Sequence, residues 1–135
     1  EDIIYIASEK GLFEKYFDVN NYKLLSNKKF KNIEKYKNNI FGNNRNIWKV
    51  NLSTLEIEKL ESKILNFSIS GDFIWLNHGN YCELLNINTL RSWEFNYDTG
   101  IPGSTIYNIK SNKDRVWFMT NSGIAIYNWD MSDYE

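Results

Sequence analysis

The sequence predicts an all-β chain, and three observations predict it. Aromatic residues make up 16% of the 135 positions, proline occurs once, and asparagine occurs 20 times. Rings and β-branched residues fit a pleated, half-buried surface, while Asn tolerates the left-handed backbone of tight turns. Period-2 alternation bounded by Gly, Asn, Asp and Ser marks about fourteen short strands. They fall near 2–8, 12–18, 21–25, 30–35, 38–42, 46–51, 55–60, 64–70, 73–77, 81–87, 90–95, 105–110, 115–120 and 123–128. That rhythm belongs to sandwiches, barrels and propellers.

A repeat sharpens the prediction. Tyr5, Phe41, Trp75 and Trp117 each follow a β-branched residue, at spacings of 36, 34 and 42. Six residues after each ring a further strand opens, at Gly11-Leu12, Ile47-Trp48, Tyr81-Cys82 and Gly123-Ile124. Eleven and eight residues before the last three rings stand Phe30 and Ile33, Ile64 and Phe67, Ile106 and Ile109. Each unit therefore reads as an apolar first strand, a second strand carrying the ring, a third closed by Asp18, Asn51, Asn86 or Asn128, and a fourth. A four-stranded sheet cannot cover both its faces, so the copies stack as β-propeller blades. The expected architecture is an arc of four-stranded antiparallel blades, two full and two partial, over residues 1–26, 30–60, 64–97 and 104–135. Tyr5 begins a unit without an innermost strand and Tyr127 ends one without an outermost strand. Both end blades should expose apolar faces, and the expectation is an excised arc of a seven- or eight-bladed ring that self-associates or is marginally stable in isolation.

Composition narrows the function classes. With 16 basic and 17 acidic residues and a pI near 5.9, the chain lacks the basic excess of a nucleic-acid binder. Charge is uneven: residues 1–50 carry 10 basic and 6 acidic side chains, and Lys28-Lys29-Phe30-Lys31 supplies much of the excess. Two readings of that cluster are open, a solvated turn and a contact for an anionic ligand. No apolar run is long enough to span a membrane.

Catalytic chemistry finds few candidates. His78 is the single histidine and no Gly-x-Ser-x-Gly elbow accompanies it, so a Ser-His-Asp arrangement has no support. One His and the lone Cys82 form no metal-ligand set, and no Gly-rich phosphate loop is present. No catalytic residue, metal or cofactor is expected. A carboxylate pair for glycoside cleavage would have to come from distant strands; Glu83, Asp72, Asp98 and Asp114 fall mostly at turns, where solvation is the simple reading. His78 itself reads as an exposed turn residue.

The stretch Gly100-Ile101-Pro102-Gly103-Ser104-Thr105-Ile106, followed by Asp114-Arg115-Val116-Trp117-Phe118-Met119-Thr120-Asn121-Ser122-Gly123-Ile124, resembles the two-component regulator propeller repeat; Ile6 to Phe13 is similar. The two middle copies lack the Gly-Leu opening, and Met119 stands where that family usually has glycine. The resemblance implies a periplasmic, extracytoplasmic sensor segment of a hybrid two-component histidine kinase, non-catalytic in itself and responsive to oligosaccharide. Its partners would be an oligosaccharide or other small ligand and the neighbouring blades, with a homodimer as a further partner, and neither nucleic acid nor membrane span. The alternatives are a propeller used as a protein-interaction scaffold and a polysaccharide-degrading propeller enzyme. In propellers one face gathers the loops between second and third strands and those between blades. Here these are 8–11, 43–46, 77–80 and 120–123, with 26–29, 61–63 and 98–104. Asn43, Arg45, His78, Asn80 and Asn121 are the expected ligand contacts, since amides pair with sugar hydroxyls and flat rings cover apolar sugar faces.

Overall fold

The computed structural model describes residues 2–134. Among the described residues, fourteen strands form four antiparallel sheets, and helix is confined to two 3-10 turns, Tyr97–Thr99 and Met131–Tyr134. The first sheet holds β1 (Ile3–Ser8), β2 (Gly11–Tyr16) and β3 (Tyr22–Ser26), and the second holds β4 (Asn32–Tyr36), β5 (Asn39–Asn44), β6 (Asn46–Asn51) and β7 (Ile57–Ser62). The third holds β8 (Asn66–Ser70), β9 (Phe73–Asn77), β10 (Cys82–Asn86) and β11 (Ser92–Phe95), and the fourth β12 (Ile106–Asn112), β13 (Arg115–Thr120) and β14 (Gly123–Asn128). Within every sheet, neighbours in sequence are neighbours in space, as short hairpin connections dictate.

The repetition is visible in the backbone. In each sheet the residue just past the strand that follows the ring-bearing strand donates its N–H to the carbonyl just before the ring-bearing strand: Phe17 to Asp2, Leu52 to Asn38, Ile87 to Asp72 and Trp129 to Asp114, at 2.8 to 3.0 Å. Asn51 and Asn86 then close the strand with an Asx turn. The Oδ1 of Asn51 accepts from the N–H groups of Ser53 and Thr54, and that of Asn86 from Asn88 and Thr89. In the fourth sheet that task falls to Asp130, whose Oδ1 accepts from Ser132, and Asn128 instead ends β14 paired with Arg115. The constant six-residue offset also hides a difference. Tyr5, Trp75 and Trp117 pair with residues nine further on, but Phe41 pairs with Lys49, eight further on. Arg45 alone connects β5 to β6, at φ +60°.

The chain divides into two compact units, Glu1–Ser62 and Lys63–Glu135. In the first unit, Leu12, Leu25, Phe30, Ile40 and Val50 form a buried cluster, with Tyr5, Ala7, Ile33 and Trp48 packed on it. The first and second sheets thus meet face to face. The free face of the first sheet carries Ile4, Ile6, Phe13, Tyr22 and Leu24, which the register places together. Ile4, Tyr22 and Leu24 are exposed.

In the second unit Phe73, Trp75, Cys82 and Leu84 of the third sheet pack against Ile106, Ile109, Val116 and Phe118 of the fourth. The Trp75 ring meets Phe118 edge-on at 5.7 Å. A polar seam runs beside this core. Asn66, Ser68 and Ser70, alternate residues of β8, bond to Tyr107 and Ser111 of β12 and to Lys113 in the turn just past it, and the Ser68 and Ser111 hydroxyls lie 2.8 Å apart. Alternation therefore serves two purposes in β8, with Phe67 and Ile69 on its other face. Trp117, Met119, Ile124 and Ile126 share the opposite face of the fourth sheet. There Ile124 is 69% exposed. Tyr5 and Trp75 lie between sheets, whereas Trp117 lies on this open face.

Candidate ligand-binding loops

In the second unit the connections at one end of the third and fourth sheets converge on residues 103–106. The β9–β10 loop, residues 78–81, reaches this strap through Ile106, whose N–H donates to the Gly79 carbonyl at 2.6 Å. Asn77 Nδ2 donates to the Ile106 carbonyl at 3.0 Å, and its Oδ1 accepts from Gly79 N at 2.8 Å. From the other side, Asn121 Oδ1 accepts from Thr105 N, its own N–H donates to the Thr105 carbonyl, and its Nδ2 donates to Ser104 Oγ. Gly103 permits that approach. A Cβ there would lie 2.4 Å from Asn121 Oδ1 and 2.7 Å from Thr120 Oγ1.

His78, Asn80 and Asn121 are thus brought together around one strap. Asn80 and Asn121 are exposed. His78 is not the exposed turn residue expected from the sequence: its side chain is 6% exposed, its Nε2 lies 3.0 Å from Glu83 Oε1, and its ring stacks on Tyr81 at 4.4 Å. Glu83 likewise departs from the turn reading, because it belongs to β10 and is buried opposite Leu76. A carboxylate at such a site needs a hydrogen-bonded partner, and the imidazole supplies one. Asp72, Asp98 and Asp114 are exposed between strands, as expected. Cys82 next to Glu83 is fully buried; burial first, and then the Glu83 carboxylate, push its thiol up to about 12. It is therefore a packing residue and not a nucleophile.

A second feature of this unit is a largely aromatic cleft of about 190 Å³ between the third and fourth sheets, lined by Trp75, Phe95, Phe118, Tyr127, Trp129 and Tyr134 among others. Across it, the Tyr127 hydroxyl donates to the Gly100 carbonyl. Its walls carry little polar surface.

In the first unit Asn43 and Arg45 are adjacent in sequence but differ in use. Arg45 is exposed at the tip of the β5–β6 connection. Asn43 is fully buried in β5; its carbonyl accepts from Lys31 N at 2.8 Å and its Oδ1 from Asn32 N at 3.1 Å. It holds the segment entering β4, just as the Asn77 carbonyl accepts from Leu65 N before β8. The shared place of Asn43 and Asn77 at the end of a ring-bearing strand was the available signal for this stapling role, and loop composition masked it.

No family model and no curated protein matches the chain. Solved structures do resemble it. The extracellular domain of BT4673 from B. thetaiotaomicron, described as a hybrid two component system, superposes with a TM-score of 0.74 at 22% identity over 93% of this chain and 18% of its own. PorZ, an essential surface component of the type-IX secretion system of Porphyromonas gingivalis, gives 0.66 at 11% identity over 96% of this chain and 18% of its own. The N-terminal domain of Nup159 gives 0.67 at 10% identity over 93% and 37%. At these identities the likeness is one of fold. The chain spans less than a fifth of the length of the BT4673 domain. Among the described residues no helix is long and apolar enough to cross a membrane.

Proposed function

We propose that the four sheets are four blades of a β-propeller arc, and that the chain is a non-catalytic, ligand-sensing segment of the periplasmic part of a two-component sensor. Oligosaccharide is the ligand class. The observation that carries this reading is the fold likeness, over 93% of the chain, to the extracellular domain of BT4673. It agrees with the resemblance of residues 100–106 and 114–124 to the two-component regulator propeller repeat. Face-to-face packing of sheets inside each unit supports the blade assignment. Arg45, Asn80 and Asn121 are the proposed ligand contacts, His78 shapes the loop that presents Asn80, and Asn43 acts from within.

A second reading, a protein-interaction scaffold, is favoured by the open apolar faces at Ile4, Tyr22 and Leu24 and at Met119, Ile124 and Ile126. A glycan array read beside a reducing-sugar assay separates these readings and the enzyme alternative. Binding without turnover is expected. Turnover would identify a polysaccharide-degrading enzyme, and silence in both assays would favour the scaffold.

A further inference from the structure

Chemistry that the sequence scatters between Ser26 and Trp48 is gathered at one edge of the first unit. The segment Lys28–Lys31 forms an arch whose centre, Phe30, is buried with its ring on Gly42. Four further contacts fix its course. Lys28 N donates to Ser26 Oγ at 3.1 Å, Lys31 N to the Asn43 carbonyl at 2.8 Å, Asn32 N to Asn43 Oδ1 at 3.1 Å, and Asn44 Nδ2 to the Lys29 carbonyl at 2.7 Å. The last bond sets the β5–β6 connection, and so Arg45, beside Lys29. Lys28 Nζ stands 3.7 Å from the centre of the Trp48 ring.

Four cations thus project from backbone that is already ordered. Lys23 pairs with Glu14 and Lys49 with Glu58, but no carboxylate forms an ion pair with Lys28, Lys29, Lys31 or Arg45 among the described residues. The only acidic residue between Ser26 and Ile47 is Glu34, placed in mid-strand opposite Phe41. Uncompensated charge on fixed backbone costs stability through self-repulsion and gains it back when an anion arrives. A guanidinium and ammonium groups together suit oxyanions.

We propose that Lys28, Lys29, Lys31 and Arg45 bind a carboxylate or sulfate group, which makes the ligand an acidic oligosaccharide. This rests on the oligosaccharide-sensing reading above and names the ligand class within it. The basic cluster is then more than the solvated turn that its sequence allows.

Calorimetric titration of the chain with three probes tests the proposal: tetragalacturonate for carboxylate, a heparin tetrasaccharide for sulfate with carboxylate, and maltotetraose as the neutral control. At least one acidic probe should bind about tenfold more tightly than maltotetraose at low salt, and the preference should shrink as salt screens it. Tetragalacturonate binding would assign carboxylate; binding of the heparin probe alone would assign sulfate. The Lys29→Ala/Arg45→Ala double variant should lose about tenfold in acidic-probe affinity, as expected for lost charge-assisted hydrogen bonds, with its melting temperature unchanged or slightly raised by the relieved repulsion. The Lys35→Ala/Lys37→Ala variant removes the same charge at the other end of the sheet and should bind like the parent. Maltotetraose binding as tightly as both acidic probes would overturn the acidic-ligand proposal alone, as would equal losses in the two double variants. Failure of all three probes would overturn it together with the oligosaccharide reading.

Discussion

The Phe30 ring lies on the bare Cα of Gly42: a Cβ at Gly42 would sit 2.6 Å from both Cγ and Cδ1 of that ring. Phe30 is itself buried, so the ring has little room to yield. Gly42→Ala should therefore destabilise the protein by about 1–3 kcal/mol, the usual cost of overpacking. Urea denaturation measures it. Phe30→Leu should recover part of the loss in the Gly42→Ala background, because a smaller, flexible side chain relieves the clash.

Trp75 tests the core of the second unit. Its ring is buried among Phe95, Phe118 and Trp129, but among the described residues its indole N–H finds no hydrogen-bond acceptor. Volume, and not the polar handle, is what this position supplies. Trp75→Ala should cost about 3–5 kcal/mol, whereas Trp75→Phe should cost under about 1.5 kcal/mol, since it discards an unsatisfied donor. Equal losses for the two variants would show that the N–H matters.

Asn43 and Asn77 are predicted to act on stability and not on binding. Each is fully buried with its amide oxygen accepting a backbone N–H. Truncating either to Ala leaves such a donor without its partner, at a cost of about 1–3 kcal/mol in thermal or urea unfolding. Asn80→Ala should do the reverse, leaving stability within about 0.5 kcal/mol because the residue is exposed.

Cys82 gives a pH prediction with a definite sign. Its folded thiol titrates near 12, against 9.0 when free, because burial disfavours the thiolate. The unfolded chain therefore releases this proton first as pH rises. Stability associated with the neutral thiol is complete below about pH 9 and is lost progressively as pH rises from there towards 12, at up to about 1.4 kcal/mol per pH unit. A disulfide reagent at pH 8 should leave the native protein unlabelled and react fully once urea unfolds it.

Much of the fold was legible because the signals were local. Alternation marked the strands, and the recurring rings Tyr5, Phe41, Trp75 and Trp117 marked the sheets. A ring must leave the backbone on one face of a pleated strand, so its spacing survives even where turns change. What spacing could not reveal was pairing. The shortened connection at Arg45 shifts the partner of Phe41 by one residue without changing the six-residue offset. The candidate site was less legible. His78 and Asn43 have turn-like sequence neighbours, yet a contact with Glu83 buries the first and the N–H groups of Lys31 and Asn32 occupy the second. Likewise Lys29 and Arg45 stand 16 residues apart, and the bonds from Asn44 to the Lys29 carbonyl and from Lys31 and Asn32 to Asn43 bring them together. Such contacts depend on which strands pair, and one sequence carries no direct record of that.

In the proposed sensor the loops, and not the sheet faces, meet an oligosaccharide. The most direct measurement is a two-dimensional amide NMR titration of the isotopically labelled chain with tetragalacturonate, beside one with maltotetraose. Binding at the loops should give saturable shifts confined to residues 28–31, Arg45 and the strap around 78–81, 103–106 and 121, with the acidic probe acting on the first group. Shifts confined to the open faces at Ile4 and Leu24 or at Met119 and Ile124, or none with either probe, would contradict it.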